Sequence, residues 1–133
     1  IIIIIILFVP YILKFNQPWV AHSLETKIPE LAEKELPLNC FIITESPIIL
    51  TSTTNLKTIS IKYFLEENIL KKKNETCFLF FDDIMCDGTF GLSESCKTIK
   101  QDYQLKEFKK YNFSYKNSFK EYIFYKIIDK KII

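Results

Sequence analysis

The sequence predicts a mostly β domain, a small antiparallel meander barrel or sandwich with a short N-terminal helix, set behind an apolar N-terminal segment. Three observations predict it. Runs rich in β-branched and aromatic residues recur between turn signals, as strands do. Over 57–66 the pattern alternates, with Ile59, Ile61, Tyr63 and Leu65 on one face against Ser60, Lys62 and Glu66; only Phe64 is out of pattern. Four cysteines without a Cys-x-x-Cys pair read as two disulfides, the usual support of a small exported domain.

Residues 1–13 carry no charge. A secretory signal needs an apolar core of roughly 7–15 residues followed by small residues at the cleavage point. Ala21 and Ser23 stand at those positions and put the cut before Leu24. A retained anchor needs about 20 apolar residues, which upstream sequence would have to complete; the chain is expected to begin inside a longer product. A buried core segment is the third reading, and six consecutive isoleucines without a turn signal fit it least. Residues 1–23 are therefore expected to be a signal peptide or membrane-anchor segment, and residues 24–133 a single disulfide-stabilised β-rich domain. The expected location is secreted or lumenal, alternatively membrane-anchored.

Within that domain, Pro29 can start a short helix over 30–36, with Glu30 and Glu33 in its first turn and Pro37 ending it. Residues 39–44 are apolar on both faces, as a buried strand is, and Glu45-Ser46-Pro47 breaks them. Residues 48–54 are mostly β-branched and predict a second strand. The alternating 57–66 follows. Residues 76–81 form a dense aromatic strand behind Lys71-Lys72-Lys73, whose charges guard it against aggregation. Asp87-Gly88 marks a turn. Residues 97–110 fit a strand through Ile99, Tyr103 and Leu105, yet a helix is also open there. Residues 111–115 and 119–128, joined by Lys116-Asn117-Ser118, predict a hairpin.

The net charge of +2 gives no strong field for nucleic acid or anionic lipid. All eighteen basic residues are lysine. Without arginine, bidentate recognition of phosphate or guanine is lost, which argues against a nucleic-acid partner. The excess of Ile, Lys, Phe and Tyr looks like genome-wide compositional drift, so not every isoleucine is chosen.

Cys40, Cys77, Cys86 and Cys96 lack the paired close spacing of a zinc site, and the one histidine, His22, lies in the leader. Three disulfide connectivities are possible. Cys86–Cys96 closing the glycine-containing loop and Cys40–Cys77 joining two strands is the favoured one. Asn74-Glu75-Thr76 and Asn112-Phe113-Ser114 are glycosylation sequons. Asn74 follows the lysine run in a turn. Strand alternation turns Tyr111 and Phe113 inward and leaves Asn112 and Ser114 outward.

The segment from Phe80 to Phe90 is an apolar strand followed by Asp87-Gly88-Thr89-Phe90. It is similar to the strand and Asp-x-Asp-Gly-Thr motif of haloacid-dehalogenase phosphotransferases, in which the first aspartate attacks phosphorus and the second is acid/base. Asp87 matches the second aspartate, but Met85 stands where the nucleophile would be. The activity is therefore not carried over, and the segment reads as a polar turn. Asp82, Asp83 and Asp87 lack the spaced ligands and closing glutamate of a calcium loop. Gly88 and Gly91 are the only glycines, too few for a phosphate-binding loop. No cofactor and no metal are expected.

The many aromatics, among them Phe78, Phe81, Tyr103, Phe108 and Phe124, fill a core or line a cavity for an apolar ligand. A short helix before a β-meander has the outline of a lipocalin, although the Gly-x-Trp start of that family is missing around Trp19. The expected function is a secreted or lumenal binding domain without catalytic activity. Its partner is a protein surface or a small apolar ligand, with the membrane involved only through residues 1–23 if they are retained. A small apolar-ligand carrier is the alternative, and a hydrolase built on Asp or Glu residues the third.

Overall fold

The computed structural model describes residues 27–67, 69, 77–86, 94–115 and 118–131. The expected leader 1–23, Asn74, Asp87 and both glycines lie outside them.

Helix α1 (Lys27–Glu35) places Ile28, Ala32 and Leu36 four residues apart on one buried stripe, with Pro29 and Glu30 in its first turn. Strand β1 (Cys40–Thr44) is buried except for the half-buried Phe41. Strand β3 (Cys77–Asp82) buries Phe78, Leu79, Phe80 and Phe81 in succession, so both its faces are covered. A near-continuous apolar run is how a sheet with helices on both sides reads in sequence.

One expected strand is helical and another is half so. Residues 48–54 contain helix α2 (Pro47–Thr51) and its exit turn. Pro47 presets the first helical φ, and the Thr51 hydroxyl donates to the Pro47 carbonyl at 2.9 Å. Thr54 makes the same bond to the Leu50 carbonyl. The Thr54 hydroxyl thus satisfies a carbonyl that the short helix leaves open, and only Leu50 is buried. The alternating 57–66 divides into strand β2 (Lys57–Ser60) and helix α3 (Ile61–Glu67). The Ser60 hydroxyl accepts the Tyr63 amide at 3.2 Å, the N-cap arrangement. Phe64, the exception to alternation, is fully buried with Ile61, while Tyr63 is 53% exposed. Spacing of three, not two, is the period that governs here.

Helix α4 (Glu94–Asp102) turns Cys96 and Ile99 inward, and strand β4 (Tyr103–Tyr115) begins at its last turn. Residues 97–110 are thus part helix and part strand. Strand β5 (Ser118–Lys130) pairs antiparallel with β4 from Tyr103↔Lys130 to Tyr115↔Ser118, the hairpin expected at 111–128 but longer.

The five strands form one mixed sheet in the order β2-β1-β3-β5-β4. β1 pairs parallel with both β2 and β3, and β5 pairs antiparallel with β3. Parallel neighbours need crossovers, which α2 and α3 supply. α1 and α2 pack with Ile42, Leu79, Phe81 and Phe124 on one face. α3 and α4 pack with Ile43, Phe78, Phe80 and Ile127 on the other. The structure is mostly sheet, as expected, but the expected antiparallel meander barrel or sandwich is corrected: the sheet is open, half parallel and layered between helices. The sequence suggested otherwise because β-branched residues in α2 and accidental alternation in α3 imitated strands.

Two bulges adjust the hairpin. Phe108 has no partner between Glu107↔Tyr125 and Lys109↔Phe124, and Ile128 is skipped opposite Gln104 and Leu105. Each stands outward, 44% and 49% exposed. The bulge at Phe108 lets Tyr103 and Leu105 join the α4 side and Tyr111 and Phe113 join the α1 side.

Candidate functional site

Cys40 and Cys77 lie opposite each other in the parallel register of β1 and β3 and form a disulfide. Cys86 is joined to Cys96 across the segment that links β3 to α4. Two disulfides indicate an oxidising compartment. Among the described residues no helix is long and apolar enough to cross a membrane.

The turn after β3 is organised by Asp83, which is 5% exposed. Its carboxylate accepts the Thr44 hydroxyl at 3.0 Å and the amides of Met85 and Cys86 at 3.1 and 3.2 Å. The Ser46 hydroxyl, also buried, makes no hydrogen bond of its own but lies near enough to ease the burial of this carboxyl. Desolvation is the larger effect and pushes the Asp83 pKa up, against the hydrogen bonds that pull it down. Asp82 points elsewhere: Lys100 of α4 holds it at 2.7 Å. The two carboxyls thus hold a turn and a helix, and do not share one cation site. Among the described residues no three His, Cys, Asp or Glu side chains gather as metal ligands.

Beside them lies an open cleft of about 440 Å³ at the carboxyl end of β3. Asp82, Asp83 and Cys86 form one side, with Lys100 above them. The start of β5 supplies the other, through Phe119, Lys120, Glu121 and Ile123. Carboxyl ends of parallel strands are where open α/β sheets place ligands. The lining is mostly charged, and Phe119 and Ile123 are its two large apolar side chains. Phe119 is 61% exposed, Asp82–Lys100 flanks it, and Glu121 pairs with Lys110 at 2.6 Å. The hydrogen bond to Glu121 raises the Lys110 pKa.

Of the residues singled out from sequence, Asp82, Asp83 and Cys86 enter this cleft, and Cys96 reaches it through its bridge. Cys40 and Cys77 do not line it. Asn112 lies on β4 directly opposite Glu121, exposed, with Tyr111 buried and Phe113 half-buried on either side. Asn74 and Asp87 are outside the described residues. Phe119 stands among the aromatics open to a cavity role, but sequence alone does not bring it, Lys120 and Glu121 here, because only the sheet order sets β5 beside β3; Lys100 arrives on α4, which the Cys86–Cys96 bridge ties to the end of β3. No local motif encodes that adjacency.

The lipocalin-like cavity is not formed, since the open sheet has no barrel interior. The small cavity lined by Ile28, Ile49, Phe81, Asp83, Ile84 and Tyr122 holds about 10 Å³. That is room for about one water. Comparison with known protein families, curated proteins and solved structures finds no match for this chain.

Proposed function

We propose that this chain is a secreted or lumenal binding domain that engages a protein partner through the cleft at the carboxyl end of β3. The observation that carries this reading is Phe119, 61% exposed in a cleft that it shares with Asp82, Lys100, Lys120 and Glu121. An exposed aromatic anchor ringed by polar groups is the anatomy of a protein-recognition site. The charges are of both signs, so the cleft suits a partner segment that itself carries mixed charge around an apolar side chain. The hydrolase reading has less support, because the Asp83 oxygens are occupied by the turn and Thr44, and Asp82 by Lys100. The carrier reading has lost the barrel it required.

Affinity capture with the oxidised chain as bait, followed by calorimetry on the purified partner, tests the proposal. Phe119→Ala should weaken binding by about tenfold or more, the scale of an interface anchor. Tyr63→Ala, exposed on α3 and not lining the cleft, should leave it within about twofold, as energetically neutral surface positions do. Equal affinity for Phe119→Ala and the unaltered chain would reject the cleft as the binding surface.

A further inference from the structure

The outer edge of β4 has two halves of different chemistry. Lys106, Lys109 and Lys110, with the bulged Phe108 among them, occupy the first. Lysines and a bulge both deter another strand from adding to a sheet edge. The second half, Tyr111-Asn112-Phe113-Ser114-Tyr115, has no charge, proline or glycine. Three aromatics in five uncharged residues is the composition that favours edge-to-edge pairing. β4 is last in the strand order, so among the described residues no strand covers it.

The sequon Asn112-Phe113-Ser114 falls in the middle of this unguarded half. Tyr111 is buried and Phe113 packs on Tyr122 with ring centres 5.8 Å apart. Asn112 and Ser114 are both exposed, on the face they share with their cross-strand partners Glu121 and Phe119. The acceptor amide therefore faces solvent without disturbing the core.

We propose that Asn112 carries an N-linked oligosaccharide, and that this glycan keeps the uncharged half of β4 from adding to another strand. The donor class is an oligosaccharide activated as a polyprenyl diphosphate. The Asn112 amide nitrogen bonds to the anomeric carbon, the bond from that carbon to the diphosphate oxygen breaks, and the diphosphate leaves with the electron pair. The nitrogen gives up one proton, and no redox change occurs. The inference rests on the secretory compartment proposed above.

The test is expression of the full chain in a secreting eukaryotic cell, with Asn112→Gln, Ser114→Ala and Ser114→Thr beside it. Trypsin frees a 111–116 peptide bounded by Lys110 and Lys116. It should carry a glycan mass that peptide N-glycosidase removes, leaving aspartate at 112. Ser114→Thr should keep the glycan, and the other two variants should lose it. Those two should also show several-fold more dimer and higher species on gel filtration. An unmodified 111–116 peptide in protein with both disulfides formed would overturn the site while sparing the compartment. An unmodified peptide with free thiols would overturn both. A glycan whose removal leaves the monomer unchanged would overturn its edge-blocking role.

Discussion

Thr44 and Asp83, at the carboxyl ends of the neighbouring strands β1 and β3, are joined side chain to side chain at 3.0 Å with both residues buried. Thr44 Oγ1 also accepts the Ser46 amide at 3.0 Å. One hydroxyl thus couples the turn that leads into α2 with the turn that leads to the Cys86–Cys96 bridge. Both turns belong to the end of the sheet where the cleft opens.

This pair gives stability a pH dependence. Burial raises the Asp83 pKa above its ordinary value of 3.8, so the folded state binds its proton more tightly than the unfolded chain. The stabilisation from that proton is complete below the ordinary value and is lost as pH rises through the folded one. Asp83→Asn cannot titrate. Its stability relative to the unaltered protein should therefore improve from acid toward neutral pH in parallel denaturant titrations. Asp83→Ala strands the Met85 amide and the Thr44 hydroxyl, while the Cys86 amide keeps the Asp83 carbonyl at 3.0 Å, and should cost about 1–3 kcal/mol throughout.

The disulfides should differ in weight. Cys40–Cys77 closes a separation of 37 residues and Cys86–Cys96 one of 10. Loop entropy assigns them about 4 and about 3 kcal/mol. Paired serine substitutions followed by urea unfolding should show the larger loss for Cys40 with Cys77. The reverse order would mean that the unfolded chain is already constrained near Cys40.

Two aromatics of the β4–β5 hairpin should respond very differently to truncation. Phe124 is fully buried and stacks on Phe81 with centroids 4.4 Å apart, and Phe124→Ala should cost about 3–5 kcal/mol. Phe108 is the bulged residue on the sheet edge, and Phe108→Ala should stay within about 0.5 kcal/mol. Similar losses at both sites in thermal unfolding would contradict the hairpin register.

Tyr111 should be among the last tyrosines to ionise. Burial, with its hydroxyl donating to Glu35 at 3.1 Å, pushes its pKa well up, while Lys109 at 2.6 Å keeps Glu35 charged and its pKa low. Because the folded pKa is raised, the neutral phenol stabilises the fold until alkali removes its proton, and stability falls as pH passes that value. Tyr111→Phe should cost about 1 kcal/mol at neutral pH. The phenolate absorbance lost in this variant should be that of the late-titrating fraction.

Much of the fold was legible where one physical signal dominated. Pro29, the acids Glu30 and Glu33 and the terminating Pro37 announce α1, and the unbroken apolar run from Phe78 to Phe81 marks the central strand. The alternation around Asn112 located one face of β4 correctly. The sequence misled where two signals competed. β-Branched residues in α2 outvoted Pro47 in the reading, although proline and hydroxyl back-bonding decide the backbone. Phe64 was treated as an exception, yet it is the residue whose burial sets the helical period of α3. The cleft was half visible: Asp82 and Asp83 stood out, but Phe119 is brought to them by strand order and Lys100 by the docking of α4, which local pattern does not carry.

The central claim is that an oxidised chain holds β1 beside β3 and the β3 turn beside α4. Peptide mapping of unreduced protein from its native source tests it most directly. Two cross-linked peptides are expected, Cys40 with Cys77 and Cys86 with Cys96, and no alkylatable thiol. Four free thiols, or a bridge from Cys40 to Cys86 or Cys96, would contradict it.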